Sequence, residues 1–151
     1  MKIRILSPWR QEGFFREKEG EYLKRLTTNI KVEIEELKGE KGEGKGALRR
    51  EGEKLLSRIG KGTYLVVMTE EGKPFDSISF SKWLESMALK GRSDITFIVG
   101  SSAGFDDEVI NKGDMLMSLS PMTFPHQMAR VILIEQIYRA FTLIKGSPYH
   151  K

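Results

Sequence analysis

Signals for β-strands and α-helices alternate five times along this chain, and this alternation limits its fold more than any other feature. The strand signals are short apolar or half-apolar runs, and most helix signals show apolar residues at helical spacing. The predicted strands cover residues 2–7, 31–38, 63–68, 94–100 and 115–120. The predicted helices cover residues 14–27, 47–59, 79–89, 106–113 and 125–143. We therefore expect an α/β fold, in which a mostly parallel sheet carries helices on both faces.

Length and composition favour one globular domain. The 151 residues suffice for one domain and no linker divides them, so we expect a single domain over residues 1–151. No apolar run is long enough to span a membrane and the N-terminus has no signal-peptide core, which favours a cytoplasmic protein without a membrane partner. Because the chain has no cysteine and two histidines, His126 and His150, we expect no metal site.

The net charge of +4 lies entirely in the first part of the chain. Residues 1–60 hold 15 basic and 11 acidic residues, whereas the remainder holds 10 of each. Such an excess suggests an anionic partner, and nucleic acid is the first candidate. A solvated helix face explains the same pattern and is the alternative interpretation.

Two glycine-containing segments are candidate ligand sites. Residues 39–46 match the phosphate-binding pattern GxxxxGK, but Gly46 stands where that pattern needs Ser or Thr, which favours a flexible basic loop. A nucleotide-phosphate site in this loop stays open as a weaker alternative. The second segment, FIVGSSAGFDDE at residues 97–108, follows a buried strand, and its glycines would let a ligand approach the backbone. An ordinary strand-to-helix connection explains it equally well.

The C-terminal block, residues 118–151, carries the most information. Its loop, residues 118–124, is uncharged and rich in hydroxyl groups, which suits an uncharged heteroaromatic ring. The helix that follows is apolar nearly all round, which favours burial in a subunit interface as well as in the core. Its polar exceptions are candidate site residues, although each also has a purely structural explanation: His126, Arg130, Glu135 and Arg139.

This block resembles the bacterial enzymes that methylate N3 of a pseudouridine in large-subunit ribosomal RNA, which are small members of the SPOUT class. The resemblance is strongest in the segments SLS (118–120), MTFPHQ (122–127), EQ (135–136), YRA (138–140) and PYHK (148–151), together with Arg130. It extends to KIRI (2–5), GKP (72–74) and FIVG (97–100). One departure is Ser101-Ser102, where the family usually has a second glycine after Gly100.

The resemblance implies a C-terminal trefoil knot, a homodimer and S-adenosylmethionine as cofactor. The substrate would be a pseudouridine of the large subunit on assembled ribosomes. The implied cofactor-binding residues are Met68, Thr69, Gly100, Ser101, Leu119, Ser120, Pro121, Met122, Thr123, Phe124 and Pro125. The expected contacts with RNA are Lys24, Arg25, Lys41, Lys45, Arg49, Arg50 and Arg130. A ribosome-binding module that keeps the fold without the chemistry is the alternative.

Methylation at N3 requires that the imide proton leaves, so a base and a group that stabilises the resulting anion are expected. Arg139 would stabilise the anion, and Tyr149 would stack on the base. His150, or else His126, would accept the proton.

Overall fold

In the part of the chain that the structure describes, five strands and five helices alternate, as the sequence predicts. The computed structural model describes residues 1–26 and 30–151. The strands are β1 (Lys2–Ser7), β2 (Lys31–Glu36), β3 (Tyr64–Pro74), β4 (Asp94–Ile98) and β5 (Met115–Ser118). The helices are α1 (Gly13–Leu26), α2 (Lys45–Ser57), α3 (Ser77–Leu89), α4 (Asp107–Lys112) and α5 (His126–Lys145). The predicted end of the first helix, residue 27, lies outside the described residues.

The five strands form one sheet in the order β2-β1-β4-β3-β5, and every neighbouring pair is parallel. This confirms the predicted α/β class. In the register of the sheet, Val67 of β3 lies opposite Ile98 of β4, and Met68 lies opposite Met117 of β5. The carboxyl ends of β4, β3 and β5 are therefore neighbours at one edge of the sheet, the place where α/β folds bind ligands.

Helices cover both faces of the sheet, as predicted. One core joins the sheet to α1, α3 and α5, and a second core on the opposite face joins it to α2 and α4. Buried side chains that fill these cores are Leu26, Leu84 and Ile134 in the first and Leu55 and Val109 in the second. No helix of the described chain combines the length and apolarity that a membrane crossing needs.

Several element boundaries differ from the predicted ones because tertiary contacts decide them. Strand β3 continues to Pro74 instead of ending at residue 68. Met68 pairs with Met117 of β5, and after a register shift Lys73 pairs with Met117 again. Helix α3 begins at Ser77, because the carboxylate of Asp76 accepts a hydrogen bond from the Ser79 amide at 2.7 Å and caps the helix. Strands β4 and β5 each end two residues before the predicted position.

Gly72 lies directly against the backbone of β5. A β-carbon at this position would lie 2.5 Å from the amide nitrogen of Met117 and 2.6 Å from the carbonyl carbon of Leu116. Both atoms belong to the main chain and cannot turn away as the end of a side chain would. Close packing of β3 on β5 therefore requires glycine here.

We expect Gly72→Ala to lower the free energy of unfolding by about 1–3 kcal/mol, because the added methyl group overpacks this contact. Gly60→Ala is the matched control, since nothing lies within 4 Å of a β-carbon at Gly60 and its φ is not positive. Urea denaturation at a fixed protein concentration measures both changes. A Gly72→Ala protein as stable as the control would contradict the close packing of β3 on β5.

Candidate functional site

The three segments predicted to bind a cofactor meet at one edge of the sheet. Met68-Thr69 lies in β3, Gly100-Ser101 follows β4, and residues 119–125 follow β5, so adjacent strands position all three. Thr69, Ser101 and Phe124 are partly buried, whereas Met122 is 73% exposed. The fold thus makes neighbours of segments that are far apart in sequence.

The segment after β4 is a tight turn. The amide of Gly104 donates a hydrogen bond to the Ser101 carbonyl at 3.0 Å, and Gly104 has a φ of 77°, which favours glycine. The Ser101 hydroxyl lies 3.5 Å from a carboxylate oxygen of Glu51 on α2. Burial raises the pKa of Glu51 above its ordinary value. The Glu51 carboxylate therefore places an acidic group beside this turn. Glu51 was not identified from the sequence as a candidate site residue.

The segment after β5, residues 119–125, is an irregular loop held by its own hydroxyl groups. Ser118 Oγ donates to the Ser120 carbonyl at 2.9 Å, and Ser120 Oγ accepts a hydrogen bond from the Met122 amide at 3.0 Å. The loop carries no charged side chain. Hydroxyl and backbone groups therefore supply its polar chemistry.

Trp9, in the segment between β1 and α1, joins this loop region to the turn after β4. Its indole Nε1 donates to the carbonyl oxygens of Gly100 at 2.9 Å and Val99 at 3.2 Å. Its ring contacts the ring of His126 edge-on at a centroid distance of 4.6 Å, and the Arg130 guanidinium lies 4.5 Å from its centroid. Sequence reasoning missed Trp9, because no periodic pattern or motif marks a single aromatic residue in a loop.

Arg130 is an interior residue, and the prediction that it contacts RNA is wrong for this reason. The residue is 1% exposed. Its guanidinium donates to both carboxylate oxygens of Glu19, at 2.7 and 2.9 Å, and also to Glu36 and the Ser7 hydroxyl. One signal was present in the sequence, since Glu19 lies on the apolar face of α1, four residues from Phe15 and from Leu23. A buried carboxylate at such a position needs a cationic partner.

Three of the four predicted catalytic residues lie together at the C-terminal end of α5. Arg139 donates to Oε1 of Glu135 from Nε at 3.0 Å and from Nη2 at 2.6 Å, and its Nη1 lies 3.1 Å from Nδ1 of His150. The guanidinium stacks 4.8 Å from the ring centroid of Tyr149, whose hydroxyl donates to the same Glu135 oxygen at 3.1 Å. We call Glu135, Arg139, Tyr149 and His150 the C-terminal cluster.

The electrostatics of the C-terminal cluster fix the protonation of two members. The hydrogen bond with Glu135 raises the pKa of Arg139, which keeps the guanidinium charged. Burial, a hydrogen bond with Tyr22 and the Glu135 carboxylate raise the pKa of Tyr149 to about 12. Tyr149 is therefore a neutral phenol at physiological pH. Because arginine has no acceptor, Nδ1 of His150 is the acceptor in its contact with Arg139.

His126 lies apart from the C-terminal cluster. It is the first residue of α5, and Arg139 comes thirteen positions later in the same helix. At 1.5 Å per residue, this spacing corresponds to about 20 Å. Burial lowers the pKa of His126, which favours its neutral form at the start of α5, next to residues 119–125. Within one chain, the predicted catalytic residues are therefore divided between the two ends of α5.

The residues predicted to contact RNA divide between the two faces of the sheet. Lys24 and Arg25 end α1, so they lie on the face that also carries α5 and the C-terminal cluster. Four others lie in or before α2, whose buried residues pack on the opposite face: Lys41, Lys45, Arg49 and Arg50. Within the described ranges, no group of three or more His, Cys, Asp or Glu side chains is placed to hold a metal ion.

Comparison with known proteins places this architecture in a family. Residues 1–150 match the family model described as "Predicted SPOUT methyltransferase", so the chain belongs to the SPOUT methyltransferase family and the resemblance noted above is confirmed. Relatives named Ribosomal RNA large subunit methyltransferase H occur in Streptococcus thermophilus strain CNRZ 1066 (42% identical), Leuconostoc mesenteroides (41%) and Acetivibrio thermocellus (40%). Each alignment covers 100% of this chain and 100% of the relative.

We expect Arg130→Met to lower the free energy of unfolding by about 3–5 kcal/mol, because it leaves the Glu19 carboxylate buried without its partner. Arg49→Met is the control, since Arg49 pairs with Glu53 on the surface and such pairs contribute about 1 kcal/mol or less. Thermal and urea denaturation of both variants measure the difference. Equal stability of the two variants would show that Arg130 does not anchor α5.

Proposed function

We propose that this protein is an S-adenosylmethionine-dependent methyltransferase that methylates N3 of a pseudouridine in large-subunit ribosomal RNA. We further propose that it acts in the cytoplasm on the ribosome, as a homodimer. Membership of the SPOUT methyltransferase family and the names of the relatives support the reaction class and the RNA substrate. The observation that carries the proposal is the C-terminal cluster, in which a charged arginine, a histidine and a stacked tyrosine converge.

The loop region at the sheet edge fits S-adenosylmethionine. Adenine and ribose need hydrogen bonds from uncharged groups, and residues 119–125 offer hydroxyl and backbone groups only. The cofactor's sulfonium and α-ammonium groups are cationic, and the carboxylate of Glu51 lies beside Ser101. We propose that Met68, Thr69, Gly100, Ser101 and residues 119–125 hold the cofactor. When bound, it supplies an electrophilic methyl group.

The C-terminal cluster suits removal of the imide proton. Arg139 donates hydrogen bonds and carries a positive charge, so it stabilises the negative charge that develops on the imide oxygen and nitrogen. Nδ1 of His150 accepts a hydrogen bond from Arg139, so it carries the lone pair of the imidazole. We propose that this nitrogen accepts the imide proton after it turns from Arg139 to the substrate. The high pKa of Tyr149 argues against a role as base. We propose that its ring, on which the Arg139 guanidinium stacks, also contacts the target base. His126 is the second choice as proton acceptor, because it lies next to Trp9 at the other end of α5, away from the C-terminal cluster.

The length of α5 supports a site that two chains build together. The cofactor loop precedes the helix and the C-terminal cluster lies about 20 Å further along it, so one chain cannot bring both to one substrate atom. A second copy with antiparallel α5 would place its C-terminal cluster beside the cofactor loop of the first. Apolar side chains on α5 support such contact, since Met128 is 41% exposed and Val131, Ile132 and Leu143 are only partly buried.

The knot also remains a proposal. In the proposed path, α5 passes through the loops that follow residues 68 and 100, as the resemblance implies. The double pairing of Met117 with Met68 and Lys73 supports it, because residues 69–72 form an irregular segment there before the chain pairs with β5 again. The tight contact of Gly72 with β5 supports it further.

The two alternatives are less well supported. In the glycine-rich loop, the Glu40 carboxylate pairs with Lys54 at 2.6 Å and with Arg50 at 3.5 Å. This places a negative charge where a phosphate would bind and occupies nearby cations, which disfavours a nucleotide-phosphate site. A binding module without catalysis would not need the charged Arg139 beside His150, and the transfer assay below separates it from the enzyme.

We expect Arg139→Ala to lower the single-turnover rate of methyl transfer to ribosomes by about 100- to 1,000-fold, because the imide anion loses its stabilising cation. The affinity for S-adenosylmethionine should not change, since Arg139 is not among the residues proposed to hold the cofactor. Arg92→Ala is the control, as Arg92 also stacks on a tyrosine, Tyr64, at 5.6 Å. Tritium transfer from labelled cofactor and calorimetry measure the two effects. An Arg139→Ala rate equal to that of the control would contradict the proposed role.

A further inference from the structure

A cavity of about 360 Å³ lies between the C-terminal ends of α1 and α5, next to the C-terminal cluster. We call it the α1–α5 pocket. Its lining includes Arg25, Tyr138, Phe141, Lys145, Pro148 and Tyr149. Tyr149 belongs to both sites, since its hydroxyl binds Glu135 of the cluster and the residue also lines the pocket. A group bound in this pocket would therefore adjoin the C-terminal cluster.

The charge of the α1–α5 pocket is positive. Its described lining contains two cations, Arg25 and Lys145, and no acidic side chain. Within residues 1–26 and 30–151, Lys145 makes no ion pair. A second cavity, of about 390 Å³ between α1 and β2, differs because Glu19 and Glu36 line it and pair with Arg130. Of these two cavities, the α1–α5 pocket is the one suited to an anion.

Aromatic rings form the wall of the α1–α5 pocket. The rings of Tyr138 and Tyr149 meet edge-to-face at 4.7 Å, and the Arg25 guanidinium lies 5.7 Å from the centroid of Tyr138. Phe141 adds a third ring on the same helix. Cations next to aromatic rings are a combination that binds nucleotides, because a base stacks on the ring while its phosphate meets the cation. Pockets of this volume suit small ligands.

We propose that the α1–α5 pocket binds one unpaired nucleotide of the RNA substrate, next to the nucleotide that is methylated. The phosphate would contact Lys145 and Arg25, and the base would contact Tyr138 and Phe141. This inference rests on the proposed function, because it requires an RNA strand at the C-terminal cluster. It adds a second point of attachment, which fixes the strand while the target base enters the reaction site.

The phosphate contact is tested with Lys145→Ala, with Lys145→Arg as the conservative variant. Lys112→Ala is the control, since Lys112 is also an exposed lysine in the last turn of a helix, α4. For Lys145→Ala, we expect the KM for ribosomes to rise about tenfold and the slope of log affinity against log salt to fall by about one. The kcat and the affinity for S-adenosylmethionine should stay at the wild-type values. Lys145→Arg should restore the wild-type KM.

The base contact is tested with Tyr138→Leu and Tyr138→Phe. Because stacking needs a ring, Tyr138→Phe should keep the wild-type KM for ribosomes, whereas Tyr138→Leu should raise it between about five- and 150-fold. Circular dichroism confirms that both variants fold. Equal KM values for Phe and Leu at this position would overturn the base contact.

Binding to ribosomes, measured by co-sedimentation without methyl transfer, separates failure of this inference from failure of the proposed function. If Lys145→Ala binds ribosomes as tightly as Lys112→Ala, with the same salt slope, the inference is overturned even when the wild type transfers methyl groups. If the wild type binds ribosomes through Lys145 but transfers no methyl group, the pocket stands and the proposed reaction fails.

Discussion

A helix of 20 residues is a rigid spacer, and the rigidity of α5 determines how this protein can work. The helix begins directly after the uncharged loop and carries the C-terminal cluster about 20 Å further on. Both ends are fixed. Arg130 holds the first turns to Glu19, Glu36 and Trp9, whereas Gly146, with a φ of 71°, ends the helix so that the tail folds back onto Arg139. Bending of the helix cannot bring the two halves of the proposed site together.

The sheet positions the other half of the proposed site, the segments proposed to bind the cofactor. Parallel strands present their carboxyl ends at one edge, and the order β4-β3-β5 makes neighbours of the three segments that follow them. Trp9 then ties the turn after β4 to the start of α5 by hydrogen bonds to Val99 and Gly100 and by ring contact with His126. The proposed cofactor loop is therefore supported by β5, by β4 and by the segment after β1.

The sequence predicted the features that depend on local periodicity, and it did not predict those that depend on distant partners. Alternating signals were enough for the parallel sheet with helices on both faces. They could not show that Arg130 is buried, because its partner Glu19 lies 111 residues away and only the fold brings the two together. Likewise, the apolar run predicted a strand that ends at residue 68, whereas Lys73 and Pro74 pair with β5 after a register shift. Trp9 and Glu51 carry no local signal and were missed for the same reason.

The central claim, that two chains build one site, is tested most directly by crossing two inactive variants. Arg139→Ala disables the C-terminal cluster, and Thr123→Arg places a cation in the exposed cofactor loop, where it opposes a cationic cofactor. Calorimetry first verifies that only Thr123→Arg loses cofactor binding. Because half of the co-expressed dimers are mixed and each mixed dimer holds one intact shared site, activity should recover to about a quarter of the wild-type value. If each chain carries its own complete site, the mixture will remain as inactive as its components.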